Sequence, residues 1–253
     1  MLRMLILTAM AGIAMAASPA SLSAQASEKT ASITAPADQA LTLAQLMSPR
    51  DVLVEMEVRE FDKHFVPSLR ADADLKSLED EYPGMFEAMH KVTRGLVSKG
   101  TGRTVDQLHG ALAALIQEQF SAADVVELIN FYRSPVGQKT VQQMAGAADA
   151  SQIYQQAVEQ EDFKLTPEFI AEQNQQNARK AAQTFTPDEQ AQMIMFMAKP
   201  SFTKLARAQP QIRQVLAEKM NAPDPEFDRE VEQAMSSAIA QHIASFEEKS
   251  DEQ

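Results

Sequence analysis

The chain has 253 residues, with 35 acidic and 23 basic side chains, a formal net charge of −12 and no cysteine. A sequence without cysteine excludes disulfide bonds, thiolate chemistry and a lipid-modified cysteine. A chain this acidic lacks the basic surface that binds nucleic acids and anionic lipids. We therefore expect no nucleic acid as a partner. We interpret the excess of acidic residues as a solvated surface that favours solubility.

The N-terminus has the pattern of an export signal. Arg3 provides a positive charge, residues 5–17 form an apolar core, and small residues follow. The apolar core is shorter than the roughly 20 residues that a membrane-spanning helix needs, so we expect cleavage and no membrane span afterwards. Cleavage after Ala26 fits the small-x-small rule, and cleavage after Ala16 is the alternative. We predict a signal peptide over residues 1–26 and a periplasmic or secreted protein.

The next residues are small and polar and give way to helical signals. We predict a flexible leader over residues 27–45 and one all-helical domain over residues 46–249. Ser48 and Pro49 are typical of a helix start, and Pro67 is predicted to end that helix. Its predicted buried stripe consists of Val54, Val58, Phe61 and Phe65.

Two glycine-containing stretches divide the following segment. Tyr82-Pro83-Gly84 predicts a break between two helices, and Lys99-Gly100-Thr101-Gly102 predicts a helix end followed by a turn. The next helix is predicted to begin at Thr104, with Leu108, Leu112, Leu115 and Ile116 at the helical period. Because no stretch alternates apolar and polar residues between hairpin turns, we predict an all-α helical bundle.

One pattern occurs twice, sixty-five residues apart. Ser121 with Asp124, and Thr186 with Glu189, have the spacing of a helix-starting capping box. Five positions are identical in the two copies: Phe120/Phe185, Ile129/Ile194, Phe131/Phe196, Pro135/Pro200 and Lys139/Lys204. The recurrence predicts an internal pseudo-repeat, one helix–corner–helix unit used at about 105–160 and again at 168–220.

The first copy predicts the details of that unit. A helical stripe precedes Ser134, and Pro135 then starts a second helix that is predicted to reach about Met144. Phe131 and Phe196 are predicted to be buried in equivalent sites, each facing a third helix. The stripe consists of Val125, Leu128, Ile129 and Tyr132.

The run FYRSPVGQK at residues 131–139 resembles the signature of the domain-of-unknown-function 2059 family. The resemblance covers residues 120–139, with a weaker second copy at 185–204. In that copy Tyr132, Arg133, Ser134 and Gly137 correspond to Met197, Ala198, Lys199 and Phe202. The resemblance implies a signal-bearing bacterial helical protein, and it implies no catalytic residues.

Catalytic and metal-binding patterns are weak. Three histidines lie one helical turn from a carboxylate, in the pairs Glu60/His64, Glu87/His90 and Asp106/His109. Carboxylate-bridged metal bundles need a fuller set, so we interpret these as surface pairs. Thioethers are soft copper ligands, but the apolar neighbours of Met193, Met195 and Met197 favour core packing. We predict no catalytic residues, no cofactor and no metal site.

One polar cluster is a candidate interaction corner: Tyr132, Arg133, Ser134, Gln138 and Lys139. A helix start offers free N–H groups to an anion or a carboxylate. The alternative is structural, with Ser134 as a cap, Arg133 at the preceding helix end and Tyr132 in the core.

These observations predict a non-enzymatic exported protein of unknown activity that acts through protein–protein or envelope-associated interaction. The alternative is a helical binding protein for a small apolar or anionic ligand, held in a groove between the two copies. Neither the protein partner nor the oligomeric state follows from the sequence.

Overall fold

The computed structural model describes residues 34–148, 151 and 164–251 of the chain. In chain order the helices are α1 (Ala37–Met47), α2 (Arg50–Ala71), α3 (Ala73–Glu81), α4 (Met85–Gln119), α5 (Ala122–Arg133), α6 (Pro135–Ala147), α7 (Pro167–Ala182), α8 (Pro187–Met197), α9 (Pro200–Asn221) and α10 (Pro225–Asp251). Apart from one isolated bridge between Thr34 and Ser121, the regular structure of these residues is helical. The predicted all-α class is confirmed for this part of the chain.

The predicted signal peptide over residues 1–26 lies outside the described residues, as does the first part of the leader. The prediction of a flexible leader was wrong over residues 37–45, which belong to the helix α1. The alanines of this segment are not a sign of mobility, because they let α1 approach its neighbours closely. Four residues of α1 at helical spacing are buried: Ala40, Leu43, Ala44 and Met47.

Helix α4 is the central element, about 52 Å long at 1.5 Å per residue. The helix end and turn predicted at residues 99–102 are absent, because α4 runs unbroken through them. Gly100 lies under the ring of Phe227, where an added Cβ would come within 2.6 Å of a ring carbon. An added Cβ on Gly102 would come closer still, within 2.0 Å of a guanidinium nitrogen of Arg50. These two glycines are therefore positions of close approach within a helix.

Two prolines lie inside helices rather than at their ends. Helix α2 continues past Pro67 to Ala71, although Pro67 was predicted to end it. Phe65 and Leu69, on either side of Pro67, are both buried. We attribute the continuation of the helix to their burial, which stabilises it by more than the loss of the one hydrogen bond that proline cannot donate costs. Pro210 lies in the middle of α9, which runs unbroken from Pro200 to Asn221.

The buried residues form two main clusters along α4. The larger cluster gathers side chains of α1, α5, α7 and α9 around the C-terminal half of α4. The smaller cluster packs Phe61 and Phe65 of α2 against Phe86 and Met89 of α4, with α10 alongside. The stripe predicted for α2 is shifted, because Leu53 and Met56 are buried while Val54 and Val58 are half-buried.

Among the described residues, each helix is too short or too polar to cross a bilayer.

Candidate functional site

The first corner joins α5 to α6. Ser121 and Asp124 form the predicted capping box, in which each side chain accepts a backbone N–H of the other residue. At the corner, Ser134 accepts the Gly137 N–H at 3.1 Å and donates its hydroxyl to the Phe131 carbonyl at 2.6 Å. The structural role predicted for Ser134, a cap on α6, is confirmed.

The second corner, between α8 and α9, repeats these elements at the same offset. Thr186 and Glu189 form a capping box, and Pro187 and Pro200 stand where Ala122 and Pro135 begin α5 and α6. The backbone bond of 2.9 Å from Ser134 N–H to the Phe131 carbonyl recurs between Lys199 and Phe196.

The two corners differ in their side chains, and Lys199, at the position of Ser134, makes no capping hydrogen bond. A Cβ on Gly137 would lie 2.0 Å from the Phe131 carbonyl oxygen, so the first corner is closed tightly around a glycine. The corresponding position in the second copy is Phe202, whose ring is buried and meets Phe196 edge-on at 5.3 Å. The second corner therefore replaces a close backbone approach with an aromatic contact.

The aromatic residues of the two copies meet each other. Phe131 and Phe196 stack with ring centroids 3.6 Å apart and an interplanar angle of 4°. Phe196 is buried and Phe131 is half-buried. The prediction that each faces a third helix was therefore wrong, because each ring instead covers its counterpart in the other copy.

Two ion pairs connect the copies reciprocally. Lys139 of the first copy donates to Glu189 of the second at 2.7 Å. Lys204, the residue equivalent to Lys139, donates to Asp124 of the first copy at 2.5 Å. Each lysine thus binds the carboxylate that closes the capping box of the other copy.

These contacts change the acidity of both carboxylates. For Asp124, burial raises the pKa, but hydrogen bonds from Lys204 and Ser121 outweigh it and leave the pKa below its ordinary value. For Glu189, the hydrogen bond from Lys139, with help from the Thr186 backbone, lowers the pKa. Both groups therefore keep their negative charge to lower pH than a free carboxyl.

The five residues of the candidate interaction corner lie in different environments. Tyr132 is buried, and burial raises the pKa of its phenol. Lys139 is held by Glu189 and lies 5.2 Å from the ring centroid of Phe185. Ser134 caps α6, which leaves Arg133 and Gln138 exposed to solvent. The five residues therefore do not form one exposed polar surface.

A groove lies between the two copies, beside the stacked rings. Its volume is about 360 Å³, and Met195 lies on its α8 side. Lys199 forms an ion pair with Glu127 at 3.3 Å within it. The lining includes four pairs of equivalent positions, Glu127/Gln192, Asn130/Met195, Phe131/Phe196 and Ser134/Lys199.

Helix α8 exposes large apolar side chains. Ile194 is 67% exposed, although its equivalent, Ile129, is only 7% exposed. Met195 and Met197 are 62% and 43% exposed, so the prediction that they pack in the core was wrong; Met193 alone packs, half-buried, against a small cluster with Phe185. Sequence reasoning missed this surface, because Ile194 repeats the pattern position of the buried Ile129.

We define the α8 outer face as Gln190, Met193, Ile194 and Met197. These residues follow one another at helical spacing on one side of α8, away from the groove residues Gln192 and Met195. The corresponding residues of α5, Val125, Leu128, Ile129 and Tyr132, are all buried.

The histidines have separate partners. The ring of His90 bonds to Asp62 at 2.9 Å and stacks on Phe61, whereas the ring of buried His109 bonds to the Ser48 carbonyl at 2.7 Å. Glu87, the suggested partner of His90, is exposed. Within the described residues, no three His, Asp or Glu side chains are grouped as metal ligands.

Comparison with known proteins gave one match. Neither a curated protein nor a solved structure matches the chain. A family model described as "Uncharacterized protein conserved in bacteria (DUF2059)" matches residues 106–163, a range that contains all of α5 and α6 and the first corner. The resemblance seen in the sequence is thus confirmed over residues 106–163, the part of the chain that this DUF2059 family model matches.

Proposed function

We propose that this is an exported, non-enzymatic protein that binds another protein through the α8 outer face. The observation that carries the proposal is Ile194, an isoleucine that is 67% exposed in a position whose counterpart is core. Export rests on the signal-like residues 1–26.

The chemistry of the face supports a protein partner. Contiguous exposed apolar side chains are typical of interaction surfaces, because water solvates them poorly. Met193 and Met197 flank Ile194 one turn apart, and flexible thioether side chains adapt to the shape of a bound surface. A protein partner that covered these side chains would remove them from water.

We further propose that the two copies form one pseudo-symmetric unit. The common helix starts, the capping boxes and the reciprocal lysine–carboxylate pairs support it. In a two-fold arrangement residue i contacts j and the equivalent of i contacts the equivalent of j, which is the pattern of these ion pairs. The Phe131–Phe196 stack would lie on the pseudo-axis. In this unit α8 occupies the place of α5, but no described helix lies on Ile194 as α1 lies on α5.

Recovery of a partner from the native envelope tests the proposed face. A tagged mature chain would be purified with its partners and compared with Ile194→Glu, which places a charge in the middle of the face. The matched control is Gln192→Glu, which adds the same charge on the groove side of the same helix. Partner recovery should be lost with Ile194→Glu and retained with Gln192→Glu.

The same experiment can refute the proposal. Equal recovery of every co-purified protein with the wild-type chain and with Ile194→Glu would show that the face is not an interaction surface. Circular dichroism of both variants must match the wild-type chain, because a misfolded variant would lose partners for another reason. Sequencing the N-terminus of the exported protein tests export, with Ser27 expected as the first residue after cleavage at Ala26.

The groove supports a second candidate, a site for a small ligand with an apolar body and an anionic end. Phe131, Phe196 and Met195 provide apolar surface, and Lys199 provides a positive charge. Octanoate is a suitable probe because it combines both features. It should raise the melting temperature of the wild-type protein and not that of Lys199→Met, whereas an equal rise in both would place octanoate elsewhere.

A further inference from the structure

We infer that the α8 outer face receives an amphipathic helix from another protein, placed as α1 is placed on α5. The inference rests on the proposed function and names the kind of partner. In the first copy, α1 packs on α5 and covers its apolar side. Buried residues of both helices belong to the same cluster, including Leu43 and Met47 of α1 with Leu128 and Ile129 of α5.

In the second copy, Ile194 and Met197 have no such cover among the described residues and are exposed. Three of its four outer-face residues are large and apolar, and Ile194 is the same residue as Ile129. A helix that is permanently solvated on this side would carry polar residues there. In the described part of the chain, α8 packs against α6 and α9, and Met193, at one edge of the outer face, is half-buried against the small cluster that contains Phe185. The face is therefore built like one that a helix covers.

The carbonyl that precedes each face has a different hydrogen-bond partner in the two copies, and this difference shows which backbone contacts a bound partner still has to make. In the first copy, the extended residue before α1 donates its N–H, from Ala35 to the Phe120 carbonyl at 3.3 Å. In the second copy the equivalent Phe185 carbonyl is already bonded by the Gln190 side chain at 3.2 Å. The partner therefore needs only a helix and no extended segment before it.

The template also indicates the partner's sequence chemistry. Helix α1 carries its buried residues at i, i+3, i+4 and i+7 and a single charged residue, Asp38. The protein as a whole carries a net charge of −12, which repels an acidic helix. The partner helix is accordingly apolar on one face at this spacing and neutral or basic on its flanks.

A peptide with the sequence of residues 36–48 and the change Asp38→Asn, which leaves it without a charged side chain, tests this inference on the purified mature chain. The labelled peptide should bind the wild-type chain and Gln192→Glu equally, as measured by fluorescence anisotropy. Binding to Ile194→Glu should be weaker by about tenfold or more, because the burial of one large apolar side chain is lost. A peptide carrying Leu43→Glu should bind neither chain.

Each other outcome contradicts the inference. Binding that Ile194→Glu leaves unchanged would mean that the peptide exchanges with α1 on α5 instead. Absence of peptide binding would overturn the helix partner while leaving the proposed function intact, provided that Ile194→Glu still abolishes recovery of the envelope partner. A wild-type dimer by sedimentation that Ile194→Glu dissociates would assign the face to a second copy of this chain.

Discussion

The ring of Phe131 lies flat against the ring of Phe196, with centroids 3.6 Å apart and planes 4° from parallel. These residues occupy the same position in the two copies of the sequence pattern. The contact joins the copies through identical side chains, while Lys139 and Lys204 join them through reciprocal ion pairs.

Truncation of the stacked rings should have unequal effects. Phe196→Ala should lower the free energy of unfolding by about 3 kcal/mol, because the side chain is buried. Phe131→Ala should cost less, about 1–2 kcal/mol, because its ring is half-buried. Urea unfolding measures both values, and losses below about 0.5 kcal/mol in both variants would show that the stack is not formed in solution.

The two rings should also be energetically coupled. In a double-mutant cycle of Phe131→Leu and Phe196→Leu, we expect an interaction free energy of about 0.5–1.5 kcal/mol. Phe131→Leu combined with Phe86→Leu is the control, because Phe86 belongs to the other main cluster and should be additive. A strictly additive Phe131/Phe196 pair would contradict the stacking.

Gly137 should tolerate no side chain. Gly137→Ala should destabilise the protein by about 1–3 kcal/mol, since the new Cβ would lie 2.0 Å from the Phe131 carbonyl oxygen. Gly146→Ala in the same helix is the matched control, because a Cβ there meets nothing within 4 Å. It should stabilise the protein by about 0.5–1 kcal/mol. Thermal unfolding distinguishes the two, and equal effects would refute the tight corner.

The cap at the first corner should have a measurable free energy. Ser134→Ala should cost about 1 kcal/mol and Ser134→Gly only a few tenths, because glycine is better tolerated at a helix start. Arg133→Ala should leave stability unchanged, as expected for an exposed side chain. If Ser134→Ala is as stable as the wild-type protein in urea unfolding, the hydrogen bond to the Gly137 N–H does not contribute.

The ion pairs between the copies should weaken in acid. Because the folded-state pKa values of Asp124 and Glu189 lie below the ordinary carboxyl value of about 4, their stabilisation is complete above that value and is lost as the pH falls through the lowered pKa. The stability difference between the wild-type protein and Lys139→Met/Lys204→Met should therefore shrink below about pH 4. Exposed Lys180→Met is the control, and a difference independent of pH would argue against the pairs.

Local signals in the sequence predicted much of the corner architecture. The helix starts could be predicted from Ser121, Thr186, Pro135 and Pro200. A helix cap depends only on residues within one turn, so its signal is local in the sequence. Gly100 was misinterpreted because its close neighbour, Phe227, is distant in sequence. Local rules cannot detect such an approach.

Repetition predicted position but not environment. Ile129 and Ile194 are the same residue in the same pattern, yet one is core and the other is exposed. The difference comes from α1, which covers α5 and has no counterpart on α8 among the described residues. Burial in this protein therefore depends on a helix outside the repeated unit, and the sequence of the repeat alone does not contain that information.

Photo-crosslinking at residue 194 in the native envelope would show directly whether a protein partner lies on the α8 outer face. A photoreactive phenylalanine analogue would replace Ile194 on the exposed face, and in a matched strain Gln192 on the groove side. If the α8 outer face binds another protein, we expect a discrete crosslinked protein from position 194 that is absent from position 192. The same products from both positions, or none from position 194, would contradict an interaction surface on α8.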